Sequence, residues 1–76
     1  MDFPAIDPVK TGDNITKLRK AAGLSVHDVQ AAFGFNSPQA IYKWQNGPAL
    51  PSVDNLVCLA ALLRVRMDDI LITDRS

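Results

Sequence analysis

Apolar positions recur along the chain at the three- and four-residue spacing of amphipathic helices, and polar caps and glycines separate the segments. The first helix is predicted to begin at Thr11, which can cap it, and to end at Gly23. Ile15, Leu18 and Ala22 share one face of this segment. That face is predicted to point into the core.

Three further helices are predicted to begin at serine caps, and two of them end at glycines. Asp28, three residues after the first of these caps, completes a variant of the capping box. The third helix is predicted over residues 37–46, with Pro38 at its first helical position. The caps of helices two, three and four are Ser25, Ser37 and Ser52, and the terminating glycines are Gly34 and Gly47.

The fourth predicted helix ends near Arg64 and has a broad apolar face, which predicts the most buried element. That face consists of Val53, Leu56, Val57, Leu59, Ala60 and Leu63. A short fifth helix is predicted from Met67 to about Leu71, with Asp68 and Asp69 at its positive N-terminal end. No strand signal is found along the chain. The prediction is therefore an all-α fold, a compact five-helix bundle.

The two ends of the chain are predicted to differ from the bundle. Residues 1–10 contain Pro4 and Pro8, which break helices, and are expected to form an extended N-terminal arm. This arm lies either on its own domain or on a partner. Residues 11–72 form the single domain, and residues 73–76 form a C-terminal tail.

Composition narrows the class of protein. The chain has 76 residues, 47% of them apolar, which fits one small globular domain whose stability a second subunit would increase. One cysteine, Cys58, and one histidine, His27, cannot make a disulfide or a structural zinc site, and no cofactor is predicted. Cys58 is expected to be buried. The absence of a signal segment and of a long apolar run predicts a cytoplasmic protein that contacts no membrane.

Catalysis is not expected, because no carboxylate pair sits in an identifiable cleft and no glycine-rich phosphate loop occurs. Eight basic and eight acidic residues cancel, so the net charge does not indicate a polyanion partner. Lys10, Lys17, Arg19 and Lys20 nevertheless cluster near the first helix. Asp68, Asp69 and Asp74 gather at the C-terminus, so the molecule is expected to be a weak dipole.

Three stretches across residues 11–72 carry a resemblance to a known family: ITKLRKAAGLSVHDVQAAFGF, SPQAIYKWQNG and LPSVDNLVCLAALLRVRMDDIL. They resemble the phage-repressor and Cro-like (Xre-type) helix-turn-helix family. The resemblance implies a lambda-repressor-like DNA-binding domain that usually acts as a dimer on an operator. On this basis the chain is expected to be a sequence-specific, repressor-like transcriptional regulator, with the helix over residues 37–46 in the major groove.

The sequence departs from the family pattern at three points. One extra residue lies between Gly34 and Ile41, so Phe35 or Asn36 is an insertion in the turn. Gln30 stands where the family usually has a small residue, which predicts a wider crossing of helices two and three. Gln45 replaces the usual glutamate opposite Arg19. The resemblance therefore implies that Arg19 keeps a neutral hydrogen-bond partner and is freer to meet a phosphate.

The period of the third helix separates an inward stripe from a polar face. Ile41 and Trp44 are predicted to be core. Amide and ammonium groups on the polar face can bond base edges in the major groove. The residues predicted to read bases are Pro38, Gln39, Tyr42 and Lys43. The residues predicted to contact phosphates are Lys17, Arg19, Lys20, Ser25, His27, Asn36, Ser37 and Asn46.

A homodimer is predicted, because one small domain contacts too few bases alone. Its interface is expected either in the N-terminal arm or in an apolar C-terminal set, Val65, Met67, Ile70, Leu71 and Ile72. The expected partners are double-stranded operator DNA and a second copy. The alternative is an antitoxin-like or regulatory module that uses the same fold to bind another protein.

Overall fold

The computed structural model describes residues 3–74. Its first helix, α1, runs Pro8–Ala21 and is capped by Asp7, whose side chain accepts a hydrogen bond from the Lys10 N–H. The predicted start at Thr11 is therefore wrong, and part of the predicted arm, residues 8–10, is helical. Proline breaks a helix interior, but its fixed φ and missing N–H suit the first helical position, which Pro8 occupies.

Four more helices follow in the predicted order, which confirms the five-helix prediction. Ser25 and Ser52 cap α2 and α4 as predicted. Ser37 does not cap α3, because Pro38 is its N-cap and the helix starts one residue later. The helices are α2 Val26–Phe33, α3 Gln39–Asn46, α4 Val53–Leu63 and α5 Met67–Ile70.

Two short strands join the ends of the described chain, so the prediction of no strands is wrong. Strand β1, Ala5–Ile6, pairs antiparallel with β2, Thr73–Asp74. The predicted arm and tail therefore bind each other in cis, while their outermost residues, 1–2 and 75–76, lie outside the described residues. Two residues are too few to show the alternation of apolar and polar positions that identifies a strand in a sequence. The two strands are joined by backbone hydrogen bonds, which leave no such pattern.

Hydrogen bonds from α1 hold the C-terminal segment beside these strands. The buried hydroxyl of Thr11 accepts from the Ile72 N–H at 3.0 Å and donates to the Ile72 carbonyl at 3.4 Å. The Asn14 amide donates to the carbonyls of Asp69 and Ile70 at the end of α5. These polar groups satisfy backbone atoms that secondary structure leaves unpaired.

The core lies between all five helices. Its buried apolar side chains are Ile15, Val29, Ile41, Trp44, Leu56, Leu59, Ala60, Leu63 and Ile70. The predicted face of α4 is only partly right, because Val53 is 75% exposed and Val57 is 50% exposed. Cys58 is also exposed, so the expected buried thiol is wrong. Periodicity did not separate the two faces of α4, because the helix is apolar almost all round.

The first and third helices cross closely at a glycine that the sequence reasoning did not single out. Gly12 is buried in α1, and a methyl group there would meet the backbone carbonyl oxygens of Trp44 and Gln45, the latter at 2.5 Å. Only a residue without a Cβ fits this crossing. An isolated glycine inside a helical pattern is the available sequence signal for such an approach. Gly12 therefore sets the position of the C-terminal end of α3.

Candidate nucleic-acid interface

Helix α3 has one anchored face and one exposed polar face. Ile41 and Trp44 are 1% and 4% exposed, which confirms the predicted inward stripe. On the other side Gln39, Tyr42 and Lys43 are exposed, and Tyr42 retains 47% of its accessible surface. Amide, phenol and ammonium groups are thus presented together on a helix whose opposite face is fixed in the core. Such a helix can enter a groove without losing its packing.

The turn before α3 is held by aromatic packing. The ring centroids of Phe33 and Phe35 lie 5.7 and 6.1 Å from that of Trp44, both edge to face. The insertion in the turn is thus accommodated with Phe35 half-buried against the core and Asn36 exposed. Aromatic pairs of this geometry add to the stabilisation from burial alone. They join the end of α2 to the inward face of α3.

Gln30 stabilises the same turn through hydrogen bonds to Phe35, a role that was not predicted from the sequence. Its side-chain amide donates to the Phe35 carbonyl at 3.2 Å, and its backbone carbonyl accepts from the Phe35 N–H at 3.1 Å. A small residue at position 30 would lack the first of these bonds. The long polar side chain therefore pairs a carbonyl of the inserted turn that would otherwise depend on water.

The N-terminal end of α3 is open to an anion. Pro38 is its cap, no side chain bonds its first turn, and no acidic residue lies in that turn. Unpaired N–H groups and the helix dipole favour negative charge at such an end. Asn36 and Ser37, both exposed, lie just before it. This end is adjacent along the chain to Gln39, so one element carries both an anion site and a polar face.

The start of α2 is already occupied by its own residues. Ser25 and Asp28 form the predicted capping box, with hydrogen bonds of 3.0 and 2.8 Å. The Ser25 backbone N–H, and secondarily its side chain, lower the pKa of the Asp28 carboxyl below its ordinary value. A carboxylate therefore sits beside the exposed His27. The predicted phosphate site at Ser25 and His27 has less free donor capacity than the start of α3.

Of the three basic residues of α1 that are predicted to contact phosphates, two are exposed and one donates hydrogen bonds within the chain. Lys17 and Lys20 are exposed. Arg19 is half-buried, and its Nε donates to Gln45 Oε1 at 2.9 Å while its Nη1 donates to the Leu24 carbonyl at 2.8 Å. The neutral pairing with Gln45 that the resemblance implied is present. The second bond, to Leu24, leaves Arg19 less free for a phosphate than expected.

The C-terminal residues predicted to form the dimer interface differ in how exposed they are. Ile70 is 0% exposed inside its own core, so its inclusion in that set is wrong. Ile72 is half-buried, and its backbone carbonyl also accepts from the Asp7 N–H at 2.8 Å. Met67 is 41% exposed, and Val65 and Leu71 pack partly against the core. A surface made of this set is therefore smaller than the sequence indicated.

Other kinds of site find no support in residues 3–74. These residues form no group of three potential metal-ligating side chains. Within the same range, no helix is both long and apolar enough to cross a membrane.

Comparison with known proteins identifies the architecture. A helix-turn-helix family model matches residues 15–70 of the chain. The comparison with curated proteins found no match. The matched range contains the second half of α1 and all of α2 to α5, and therefore both the anchored and the exposed face of α3.

Two solved structures are similar over nearly their whole length. The restriction-modification controller protein C.AhdI from Aeromonas hydrophila superposes with a TM-score of 0.75 and 26% identity, covering 84% of this chain and 96% of that one. The DNA-binding domain of BldD superposes with a TM-score of 0.74 and 21% identity, covering 87% of this chain and 94% of that one. At 21% identity, the similarity to the BldD domain indicates a shared fold only.

Proposed function

Because this chain belongs to the helix-turn-helix family of the Cro/C1 type and is a DNA-binding regulator, we propose that it recognises a specific operator by placing α3 in the major groove. The observation that carries this proposal is the exposed polar face of Gln39, Tyr42 and Lys43 on a helix anchored by Ile41 and Trp44. A fixed helix keeps these groups at constant positions against the base edges. Discrimination between sequences depends on such fixed geometry.

Each exposed group has a chemical match in the major groove. The Gln39 amide can bond adenine through N6 and N7, and the Lys43 ammonium can donate to O6 and N7 of guanine. Tyr42 offers a ring for a thymine methyl and a hydroxyl for a phosphate. Pro38, the half-buried cap of α3, offers an apolar contact at the point where the helix enters the groove.

Phosphate contacts are proposed on both sides of this face. The open N-terminus of α3, with Asn36 and Ser37 before it, would hold one phosphate, and Lys17, Lys20 and Asn46 supply exposed donors elsewhere. The capping box at the start of α2 supports a smaller contribution from Ser25 and His27. The hydrogen bonds of Arg19 support a positioning role beside any phosphate contact.

The proposal includes a homodimer that binds two half-sites. Two copies of α3 would then occupy successive major grooves about 34 Å apart. The proposal also includes a repressor-like role in the cytoplasm, a role for which occupancy of the operator is sufficient. It requires no catalytic step and no cofactor.

The test is selection of bound duplexes from a random DNA pool by the purified chain. We expect a two-fold symmetric motif, bound far more tightly than scrambled DNA when the two are titrated at the same salt concentration. Equal binding to all duplexes, or no enrichment by protein with a folded circular dichroism spectrum, would contradict the proposal.

The salt dependence separates phosphate contacts from base contacts. Lys17→Ala should weaken binding to all sequences alike and lower the slope of log affinity against log salt by about one. Arg66→Ala is the matched control, since it removes an exposed cation that pairs with Asp68 on α5, outside the candidate interface. An unchanged slope for Lys17→Ala would remove that residue from the interface.

A protein-interaction module is the second candidate, and the net charge of zero favours it over a polyanion partner. In that case alanine at Gln39 and Lys43 would leave binding to the partner unchanged. Loss of DNA selectivity in the same variants would instead support the operator proposal.

A further inference from the structure

The middle and the C-terminal end of α3 are held by other elements of the fold. Ile41 and Trp44 are buried in the core. The backbone carbonyls of Trp44 and Gln45 lie against Gly12 of α1. Lys43 stands between the two buried residues, so the core itself fixes the position from which its ammonium group extends.

The start of α3 is held less firmly. Among the described residues, no side chain caps its first turn, and Gln39 is exposed. Pro38 and Gln39 both precede Ile41, the first buried residue of the helix. The N-terminal residues of a recognition helix are the ones that contact base edges. The position of the Gln39 amide therefore depends on the path of the turn between α2 and α3.

This turn is fixed at Phe35 through its N–H, its ring and its carbonyl. The Phe35 N–H donates to the Gln30 carbonyl at 3.1 Å. With the bond from the Gly34 N–H to the Ala31 carbonyl, it forms the Schellman motif that ends α2. The Phe35 ring lies 6.1 Å from the ring of Trp44. The Phe35 carbonyl accepts from the Gln30 side-chain amide at 3.2 Å.

Of these contacts, only the bond to the Phe35 carbonyl needs the side chain of Gln30. The Schellman bonds join backbone atoms, so they form with any residue at position 30. The Phe35 carbonyl belongs to the planar peptide that leads into Asn36. A bond to its oxygen therefore restricts the rotation of that peptide. Only residues 36–38 then separate it from Gln39.

We propose that Gln30 is a positioning residue that determines base preference at the start of α3: its amide fixes the peptide after Phe35, and thereby the place of Gln39 in the major groove. This inference rests on the proposed function, since it concerns how α3 reads bases. A glutamine amide discriminates only when both of its bonds to a base have good geometry, and a displacement of about 1 Å removes them. The turn thus controls the readout by Gln39, and the core controls the readout by Lys43.

The test measures the affinity of the full chain for its selected operator and for duplexes that differ from it at single base pairs. Gln39→Ala and Lys43→Ala identify the base pair that each residue reads, as the one at which discrimination is lost. Gln30→Met removes the donor at nearly constant side-chain length. We expect it to lower discrimination at the Gln39 base pair about fivefold or more and to leave the Lys43 base pair unchanged.

Two variants separate positioning from loss of stability. Asn14→Leu is the matched control, because the Asn14 amide also donates to backbone carbonyls, those of Asp69 and Ile70, but joins α1 to α5. It should lower the Tm and leave both base preferences unchanged. Gln30→Lys restores a long donor and should recover discrimination at the Gln39 base pair. Its added charge strengthens binding to all duplexes alike, so the ratio of affinities is unaffected.

A double variant tests whether Gln30 acts through Gln39. Gln30→Met should lower discrimination no further when Gln39→Ala is already present, because the group that it positions is gone. Circular dichroism confirms that each variant is folded. If Gln30→Met does not fold, Gln30→Glu tests the same bond, because its ionised carboxylate accepts hydrogen bonds and cannot donate them.

Three results would overturn the inference and leave the proposed function standing: discrimination at the Gln39 base pair that survives Gln30→Met, equal losses at both base pairs, or a Gln30→Lys variant that behaves like Gln30→Met. A change of preference in Lys43→Ala but not in Gln39→Ala would do the same, since Gln39 would then read no base. If no duplex is selected, or if neither α3 variant alters the preferences, the proposed function and the inference are both refuted.

Discussion

Replacement of Gly12 by alanine tests how closely α1 and α3 approach. The new methyl group would lie 2.5 Å from the Gln45 carbonyl oxygen, about 0.9 Å short of the 3.4 Å at which ordinary contact begins. The obstructing atoms are backbone of α3, so no side chain can turn aside. Forced overpacking of this kind costs about 1 to 3 kcal/mol. Alanine recovers about 1 kcal/mol of helix propensity, so we expect a net loss of up to about 2 kcal/mol.

Thermal unfolding followed by circular dichroism measures this loss. For a domain of this size, about 2 kcal/mol corresponds to a Tm lower by roughly 8 to 16 °C. Asp13→Ala is the control, because it changes the next, exposed residue of α1 and adds helix propensity without a clash. A Gly12→Ala variant as stable as this control would refute the close crossing of the two helices.

Two further substitutions test individual hydrogen bonds. Arg19→Met removes the donors to Gln45 and Leu24, and should lower the free energy of unfolding in urea by about 1 to 3 kcal/mol; an unchanged value would show that these bonds contribute nothing. Asp28→Asn tests the capping box through pH. Because folding lowers the pKa of Asp28, its stabilisation is present above the ordinary value of 3.8 and is lost as pH falls below it. The wild type should therefore be more stable than Asp28→Asn near neutrality, with a difference that shrinks in acid, and a difference independent of pH would contradict this account.

Helix boundaries were predictable wherever local chemistry sets them. The capping box at Ser25 and the left-handed glycines that end α2 and α3 act within a few residues, so the sequence contains the whole signal. The start of α1 was missed although Asp7 and Pro8 carry its local signal, a capping residue followed by proline at the first helical position. Contacts with the far end of the chain also hold this start. The Asp7 N–H bonds the Ile72 carbonyl, and β1 pairs with β2. No local pattern reports such pairing.

In the candidate site, too, some features could be predicted from local sequence and others depend on tertiary contacts. The exposed face of α3 follows from its helical period, and it was found without any tertiary information. Three other features depend on which atoms of other elements lie nearby. They are the hydrogen bonds of Arg19, the hydrogen bond from Gln30 to the turn and the close approach at Gly12. The exposure of Val57 and Cys58 was missed because α4 is apolar on both sides, so hydrophobicity alone did not identify its buried face.

The base preferences of Lys43→Ala, compared with those of the wild type and of Arg66→Ala, test most directly whether α3 reads DNA sequence. We expect Lys43→Ala to lose about 1 to 3 kcal/mol on the selected site and to relax discrimination at one base pair per half-site, while Arg66→Ala keeps the wild-type preferences. An equal loss on every duplex, with discrimination intact, would contradict base reading by the exposed face of α3.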